Sequence, residues 1–477
     1  MSYHATIGLE VHAELKTQTK MFCNSKNDAH ETRPNVNVCP VCLAHPGTLP
    51  VINREAVRQV LRVGVALGGT LADYTEFDRK NYFYPDLPKG YQISQYEYPL
   101  VSGGELCGVA ITRVHLEEDT ASSVHDDETG ATLIDFNRSG MPLMELVTEP
   151  VIRSAEQAGK FGRELQLLLR YLDASDADME QGQMRLEANI SVSDSETLGT
   201  KVEVKNINSF RAMERAVAYE IKRQSELLSK GETIAQETRG WDDAKQQTFS
   251  QRVKEVAADY RYFPDPDLPS LKLSEIEEFS VRTLTETLPE LPEARRARYA
   301  SWGIKADDAE QFASYPRIGA FFDSVVGSHL GDLSFIQLSA NYVANDIVSI
   351  IRDTDKRDTD SRAEIPISTT RFEKIISLIV EKKISSRVAK NLLLYVIQER
   401  KDPEVIAQER GLFTVTDTTD IGAIIEHILK ENDSVVSDYK AGKEAALQFL
   451  IGKGMRALKG AVDPVELKEK IIERIER

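Results

Sequence analysis

The sequence predicts an α+β fold, with an N-terminal mixed, largely antiparallel sheet followed by all-helical segments. Three observations predict it. Short N-terminal stretches alternate apolar and polar residues with the period of a strand. Longer stretches between them repeat apolar residues at helical spacing. Aromatic, proline-rich loops stop near residue 290, and the rest of the 477 residues carries helical pattern.

The alternation starts at once. Ile7, Leu9 and Val11 point one way, and Glu10, His12 and Glu14 the other. Further on, Arg113, His115 and Glu117 share a face, as do Arg185, Glu187, Asn189 and Ser191. Same-face neighbours sit roughly 6.5–7 Å apart along a strand. Any one such strand is more simply a solvated outer face. Solvated faces, however, favour Thr, Lys and Ser. Histidines interleaved with carboxylates point instead to the floor of an active site. Met141–Val147 is strand-like and carries Glu145, with Glu149 just beyond. Residues 185–192 and 201–205 predict a hairpin, in which Val202 and Val204 alternate with Lys201, Glu203 and Lys205. Helical spacing joins Phe161, Leu165, Leu168, Leu169 and Leu172, and again Phe210, Met213, Val217 and Ile221. Prolines 264, 266, 269, 289 and 292 mark the exit from the first domain. The expected domains are therefore 1–290, 291–405 and 406–477, the last a small tail with Ile421, Ile424, Ile425 and Ile428 on one helix face.

Composition narrows the function. A hydrophobic content of 41% supports several real cores, and a net charge of −17 argues against a basic nucleic-acid coat. Residues 438–477 carry +2, leaving −19 on the rest. Lys453, Arg456 and Lys459 there could meet a phosphate backbone or simply form a solvated helix face. No apolar run approaches the roughly 18 residues of a membrane span. Met1–His4 leads straight into a strand pattern, so no secretory leader is expected. Four cysteines suit a reducing cytoplasm.

Three motifs carry chemistry. Glu10 and His12, then Glu117, Glu118, Asp119 and His125, then Glu145 and Glu149 offer oxygen ligands suited to Mg²⁺, although histidine suits Mn²⁺ or Zn²⁺ better. Surface salt bridging is the equal alternative. Residues 78–95 interleave Lys80 and Lys89 with Tyr82, Tyr84 and stiff prolines; the lysines could neutralise phosphate and the rings stack a base or wall a pocket, an ordinary packed loop being the alternative, and Asp259–Asp267 is similar. Cys39 and Cys42 form a CxxC with Cys23 upstream, which reads as half of a zinc knuckle or as a metal-free remnant. His30, His45 and Cys107 are the available fourth ligands. Neither a Walker loop, a dinucleotide fingerprint nor a nucleophile elbow is present.

The motifs IGLEVHAELKTQTKMFC (7–23), CPVCLAHPGTLPVIN (39–53), DRKNYFYPDLPKGYQISQ (78–95), HLEED (115–119), DFNRSGMPLMELVTEP (135–150), GQMRLEANIS (182–191), GTKVEVKNINSF (199–210) and DYRYFPDPDLP (259–269) resemble the GatB family, the B subunits of the aspartyl/glutamyl-tRNA amidotransferases. The C-terminal region is similar to the YqeY family. The resemblance implies a cradle-shaped α+β domain, a helical domain and a YqeY-like tail. It implies that misacylated Glu-tRNA(Gln), Asp-tRNA(Asn) or both become Gln-tRNA(Gln) and Asn-tRNA(Asn), by ATP phosphorylation of the side-chain carboxylate and its exchange for ammonia. It assigns Glu10, His12, Glu117 and Glu118 to Mg²⁺, and Lys80, Arg185, Glu149 and Glu187 to catalysis. It assigns Tyr82, Tyr84, Lys89 and Lys205 to ATP binding, and Lys453, Arg456 and Lys459 to tRNA. No amidase or glutaminase signature occurs, so ammonia is expected from the amidase partner GatA, with the small GatC protein completing a heterotrimer. The family often carries a cysteine where this chain has Ser25. For Cys23, Cys39 and Cys42 a three-thiolate zinc site and a metal-free site both stay open. A non-catalytic tRNA-binding scaffold and a stand-alone ATP-grasp-like ligase using free ammonia on a small acid are the competing readings.

Overall fold

The alternating stretches become the middle of one sheet in the computed structural model, which describes residues 3–126, 128–253, 260–354, 364–413, 418–458 and 464–476. In chain order the elements that build the first unit are β1 (His4–Glu14), α1 (Arg54–Ala66), β2 (Asp78–Asn81), β3 (Tyr91–Ser94), β4 (Val109–Glu118), β5 (Pro142–Thr148), α2 (Ala155–Tyr171), β6 (Met184–Ser193), β7 (Val202–Ile207), α3 (Phe210–Ser229), β8 (Glu237–Asp242) and β9 (Gln247–Val253). The main sheet runs β9-β8-β7-β6-β1-β5-β4 and ends in the short strands Val101–Ser102 and Thr70–Leu71. Glu105–Leu106 also pairs with β4. Among the described strands, β7 and β8 are the pair that runs parallel. The expected α+β class with a mixed sheet is what the chain adopts.

The register sets the two faces. His12 lies opposite Arg185 on β6 and Glu145 on β5, and Glu145 lies opposite His115 on β4. Directly opposed residues share a face, so one polar row crosses four strands. The other face holds Ile7, Leu9, Val11, Val114, Leu116, Met144, Leu146 and Ile190, all fully buried in one core with α1, α2 and α3. Burying each such side chain contributes roughly 1.5–3 kcal/mol. The expected hairpin is present, with Asn189 opposite Glu203.

The helices start where their caps say. Ser154 Oγ accepts from Gln157 N at 3.1 Å to open α2, and Ser209 Oγ accepts from Ala212 N at 3.1 Å to open α3. The two pack closely at Gly162, where a Cβ would come within 2.9 Å of the Phe210 ring.

A small sheet of β2, β3 and Phe263–Pro264 is tied to the polar end of β4. Leu116 N donates to Gln95 Oε1 at 3.0 Å, and Ile93 N to Glu118 Oε1 at 2.9 Å. This places the loop 78–95 beside the polar face.

The chain divides into two compact units, Met1–Leu291 and Pro292–Arg477. Among the described residues the second unit is helical and contains two separate apolar clusters. One gathers Tyr299, Phe312, Phe322, Phe372, Leu392 and Ile406. The other gathers Ile421, Ile425, Ile428, Leu450, Leu467 and Ile471, with Ile424 packed against it. No helix among the described residues is long and apolar enough to cross a membrane.

Candidate functional site

The polar face of β1, β4 and β5 concentrates ionisable groups in a small volume. His12 Nε2 lies 3.2 Å from Glu145 Oε2, 3.6 Å from Glu117 Oε1 and 3.9 Å from Glu10 Oε1. His115 Nε2 lies 3.4 Å from the same Glu145 oxygen and 3.8 Å from Glu117 Oε2. Two donor sets result, Glu10–His12–Glu145 and His115–Glu117–Glu145, each able to surround one ion and sharing Glu145. His115, Glu117 and Glu145 are buried, while Glu10 and His12 are partly open.

Charge pairing sets the protonation states. Burial works against charge on His12, but the Glu145 hydrogen bond, then the charges of Glu145, Glu117 and Glu10, push its pKa up to about 9. His115 rises in the same way, against its own burial. Burial would also raise Glu145, but His115 and His12 hold it well below the usual carboxylate range. Glu117 is likewise held low, with Lys80 the main cause opposing burial. Glu10 moves up, from burial and the nearby Glu145.

Lys80, on β2, faces this cluster. Burial opposes its charge, but Glu117, Tyr262 and Glu145 hold the ammonium protonated. Its Nζ lies 5.3 Å from the Tyr260 ring centroid. Among the described residues no carboxylate comes within ion-pair distance of it. An oriented cation without a direct partner is a ready site for phosphate oxygens. Tyr82 beside it donates to Gln92 Oε1 at 3.2 Å, and its ring meets Tyr84 and Tyr260 edge-on.

Other expected residues flank the cluster. Arg185 Nη2 donates to Asp119 Oδ2 at 2.7 Å, and Arg138 approaches the same carboxylate. Lys205 pairs with Glu187 at 2.7 Å, and Glu187 lies opposite Glu10 in the register.

Four expected residues are not brought in. Glu118 alternates to the far side of β4, where Lys89 Nζ at 2.6 Å and Ile93 N at 2.9 Å occupy its carboxylate. Lys89 is thereby drawn away as well. Glu149 stands four residues past Glu145, about 13 Å along an extended strand, and accepts from Thr112 at 2.8 Å. Tyr84 sits at the rim, 61% exposed.

Glu145 and His115 belong to the centre; Glu145 is among the candidate oxygen ligands of the sequence, but neither is in the ligand set that the family resemblance assigns. Glu145 had a readable signal, a lone carboxylate in the apolar run Leu143–Val147, but strand order is needed to place it against His12. His115 already shared a face with Glu117.

The three thiols do converge. Cys23, Cys39 and Cys42 lie with all sulfurs within 4.8 Å of one another. No fourth protein ligand joins them among the described residues. In the second unit, Lys453 and Arg456 line a cleft of about 570 Å³ with Ile424, His427 and Glu431. Lys459 lies outside the described residues.

Residues 5–277 match the family described as GatB/GatE catalytic domain, and residues 321–475 match the GatB domain of the YqeY type. The chain is 42% identical to the B subunit of the aspartyl/glutamyl-tRNA(Asn/Gln) amidotransferase of Thermomicrobium roseum, over 100% of this chain and 99% of that protein. It is 42% identical to the protein of the same name from Moorella thermoacetica over the whole of both, and 40% identical to that of Carboxydothermus hydrogenoformans over 99% of each.

Proposed function

Because the chain belongs to the GatB family, we propose that it is the transamidating component of a tRNA-dependent amidotransferase, activating the side-chain carboxylate of misacylated Glu-tRNA(Gln), Asp-tRNA(Asn) or both. A carboxylate resists ammonia because its carbonyl is poorly electrophilic and oxide is a poor leaving group. In this reading a substrate carboxylate oxygen attacks the γ-phosphorus of ATP, ADP departs, and an acyl phosphate results. Ammonia then attacks the acyl carbon and loses a proton as inorganic phosphate leaves.

The residues fit that chemistry. Glu10, His12, Glu117 and Glu145 would hold Mg²⁺, which when bound neutralises polyphosphate charge. Lys80 places fixed positive charge at the transferring phosphoryl group. Tyr82 and Tyr260 wall the approach beside Lys80. Arg185, held by Asp119, and the Glu187–Lys205 pair line the flank where substrate would lie. Ammonia comes from a glutaminase partner, the GatA amidase, which assembles with this chain and the small GatC protein in the cytoplasm. Lys453 and Arg456 of the tail meet tRNA phosphates.

One observation carries this reading: two carboxylate–imidazole donor sets share Glu145, and a lysine with no ion-pair partner among the described residues interacts electrostatically with their Glu117 and Glu145. Its test is ATP hydrolysis and amide formation by the assembled complex, with and without misacylated tRNA, in wild type, Glu10→Ala and Lys80→Ala. Both activities should require the tRNA and be lost in both variants, while tRNA affinity stays within about twofold. Full turnover in both variants would leave only the scaffold reading.

A further inference from the structure

We propose that Cys42 and Cys39 form a hydroperoxide-reactive dithiol that closes to a disulfide, with the Lys20 ammonium, rather than a zinc ion, as the resident positive charge beside the sulfurs.

The geometry centres on Cys42. Its Sγ lies 3.8 Å from Cys39 Sγ and accepts the Cys39 N–H at 3.1 Å. Lys20 Nζ approaches it at 3.8 Å and Ser25 Oγ at 3.7 Å. Lys20 is fully buried, and its other hydrogen bond goes to the Phe136 carbonyl at 3.2 Å. Among the described residues it has no carboxylate partner. Burial lowers the Lys20 pKa and the neighbouring sulfurs, Cys42 first, oppose that; a buried ammonium needs a counter-charge, and the thiolate of Cys42 is the group placed to supply it. The Cys23 thiol, the Cys39 N–H and Lys20 all favour that thiolate over the opposing effect of burial.

Zinc does not fit this donor set as a closed structural site. Such a site takes four ligands, typically thiolates and imidazoles. Here three thiols are present, and a hydroxyl, Ser25, stands at the fourth side. His30 and Cys107 are exposed, and His45 lines the adjacent cavity without joining the group. An ammonium 3.8 Å from the Cys42 sulfur also repels a dication.

Cys42, the thiol that would react first, faces a cavity. A cavity of about 190 Å³ is lined by Cys23, Cys42, His45, Lys89 and Glu118, and a hydroperoxide is small enough to enter. The Cys42 thiolate attacks the terminal peroxide oxygen and the O–O bond breaks. The departing oxygen takes a proton as water or an alcohol, leaving Cys42 as the sulfenic acid. The Cys39 sulfur then attacks Cys42 Sγ, the S–O bond breaks, and water departs with the Cys39 proton. Two thiols lose two electrons and the peroxide gains them. The sulfurs must close by about 1.8 Å to reach the bonded distance of about 2.05 Å.

The experiment uses the reduced full-length chain, hydrogen peroxide, alkylation and peptide mass mapping. The peptide carrying Cys39 and Cys42 should become two hydrogens lighter on the order of tenfold faster than exposed Cys107 oxidises. Cys39→Ser should stop at a Cys42 sulfenic acid that dimedone traps. Protein purified without chelator should hold below about 0.1 equivalents of zinc, and Ser25→Cys, which completes four thiols, should raise this to about one. A wild-type chain with about one zinc equivalent that blocks peroxide until chelated would overturn the proposal. So would a Cys42 that reacts no faster than Cys107.

Discussion

Replacing Glu145 by glutamine removes the carboxylate that both imidazoles face while keeping its shape. The effect on the metal-free protein follows from His12, whose pKa stands at about 9 against an ordinary 6.5, with Glu145 the main cause opposing burial. A folded-state pKa raised in this way means that the protonated imidazole stabilises the fold. That contribution is complete below about pH 6.5 and is lost as pH rises through about 9. At about 1.36 kcal/mol per unit it amounts to at most about 3 kcal/mol at low pH, about 2 kcal/mol at pH 7.5 and about 0.2 kcal/mol at pH 9.5. If glutamine returns His12 toward its ordinary value, the variant is destabilised by these amounts, and His115 adds in the same direction. Hydrogen exchange of the β1 and β5 amides, with chelator present and corrected for chemical exchange, reads the local stability. The gap between wild type and Glu145→Gln should shrink by about 2–3 kcal/mol from pH 6.5 to pH 9.5. A gap that is constant, or that widens with pH, would refute the pairing.

Lys80→Met should lower amide formation by about 10²–10³-fold with tRNA affinity within about twofold, measured by steady-state kinetics and filter binding. Glu10→Gln should raise the Mg²⁺ concentration for half-maximal activity by on the order of tenfold, whereas Glu118→Gln should leave it within about twofold; equal shifts would restore Glu118 to the ligand set. Mn²⁺ binding at pH 7.5 should release about one proton or more, because His12 is then nearly all protonated, and calorimetry in buffers of different ionisation enthalpy would count it. Deleting 406–477 should weaken tRNA affinity and flatten its salt dependence while sparing exchange protection in β1; unchanged tRNA binding would remove the tail from the interface.

How much of this was legible depended on whether the signal was local. Alternation in 6–14, 113–117 and 185–191 gave the strands and the faces of their side chains, because a two-residue period needs no partner to be read. Apolar spacing gave α2 and α3 for the same reason. Strand order was not legible. Nothing local in Glu145 says that β5 lies between β1 and β4, so its position between His12 and His115 stayed hidden although all three residues were visible. Glu118 shows the converse. It follows Glu117 directly, but on a strand adjacent residues face opposite ways, so the HLEED motif splits between two sites. Lys89 sits in the same loop as Lys80 but follows Glu118. The thiol motif was readable as a motif, but only the fold shows a buried lysine against the Cys42 sulfur.

The polar row explains how one sheet holds so much ionisable charge near its centre. Arg185, His12, Glu145 and His115 follow one another across β6, β1, β5 and β4 in register. Neighbouring strands are about 4.8 Å apart, so Glu145 lies between two imidazoles within hydrogen-bonding range of both. Unpaired, any one of these buried charges would be costly; Glu145 and Glu117 raise the pKa of both imidazoles, and protonated imidazole in turn offsets the carboxylate charge. A divalent cation would supply positive charge at the same place. Exchanging imidazole protons for such an ion changes the local charge less than adding it to the protonated cluster would. A site built from carboxylates alone would repel itself until the ion arrived. Interleaving histidines along the register lets the cluster fold in its working geometry first, which is a physical reason for the histidine–glutamate alternation of β1 and β4.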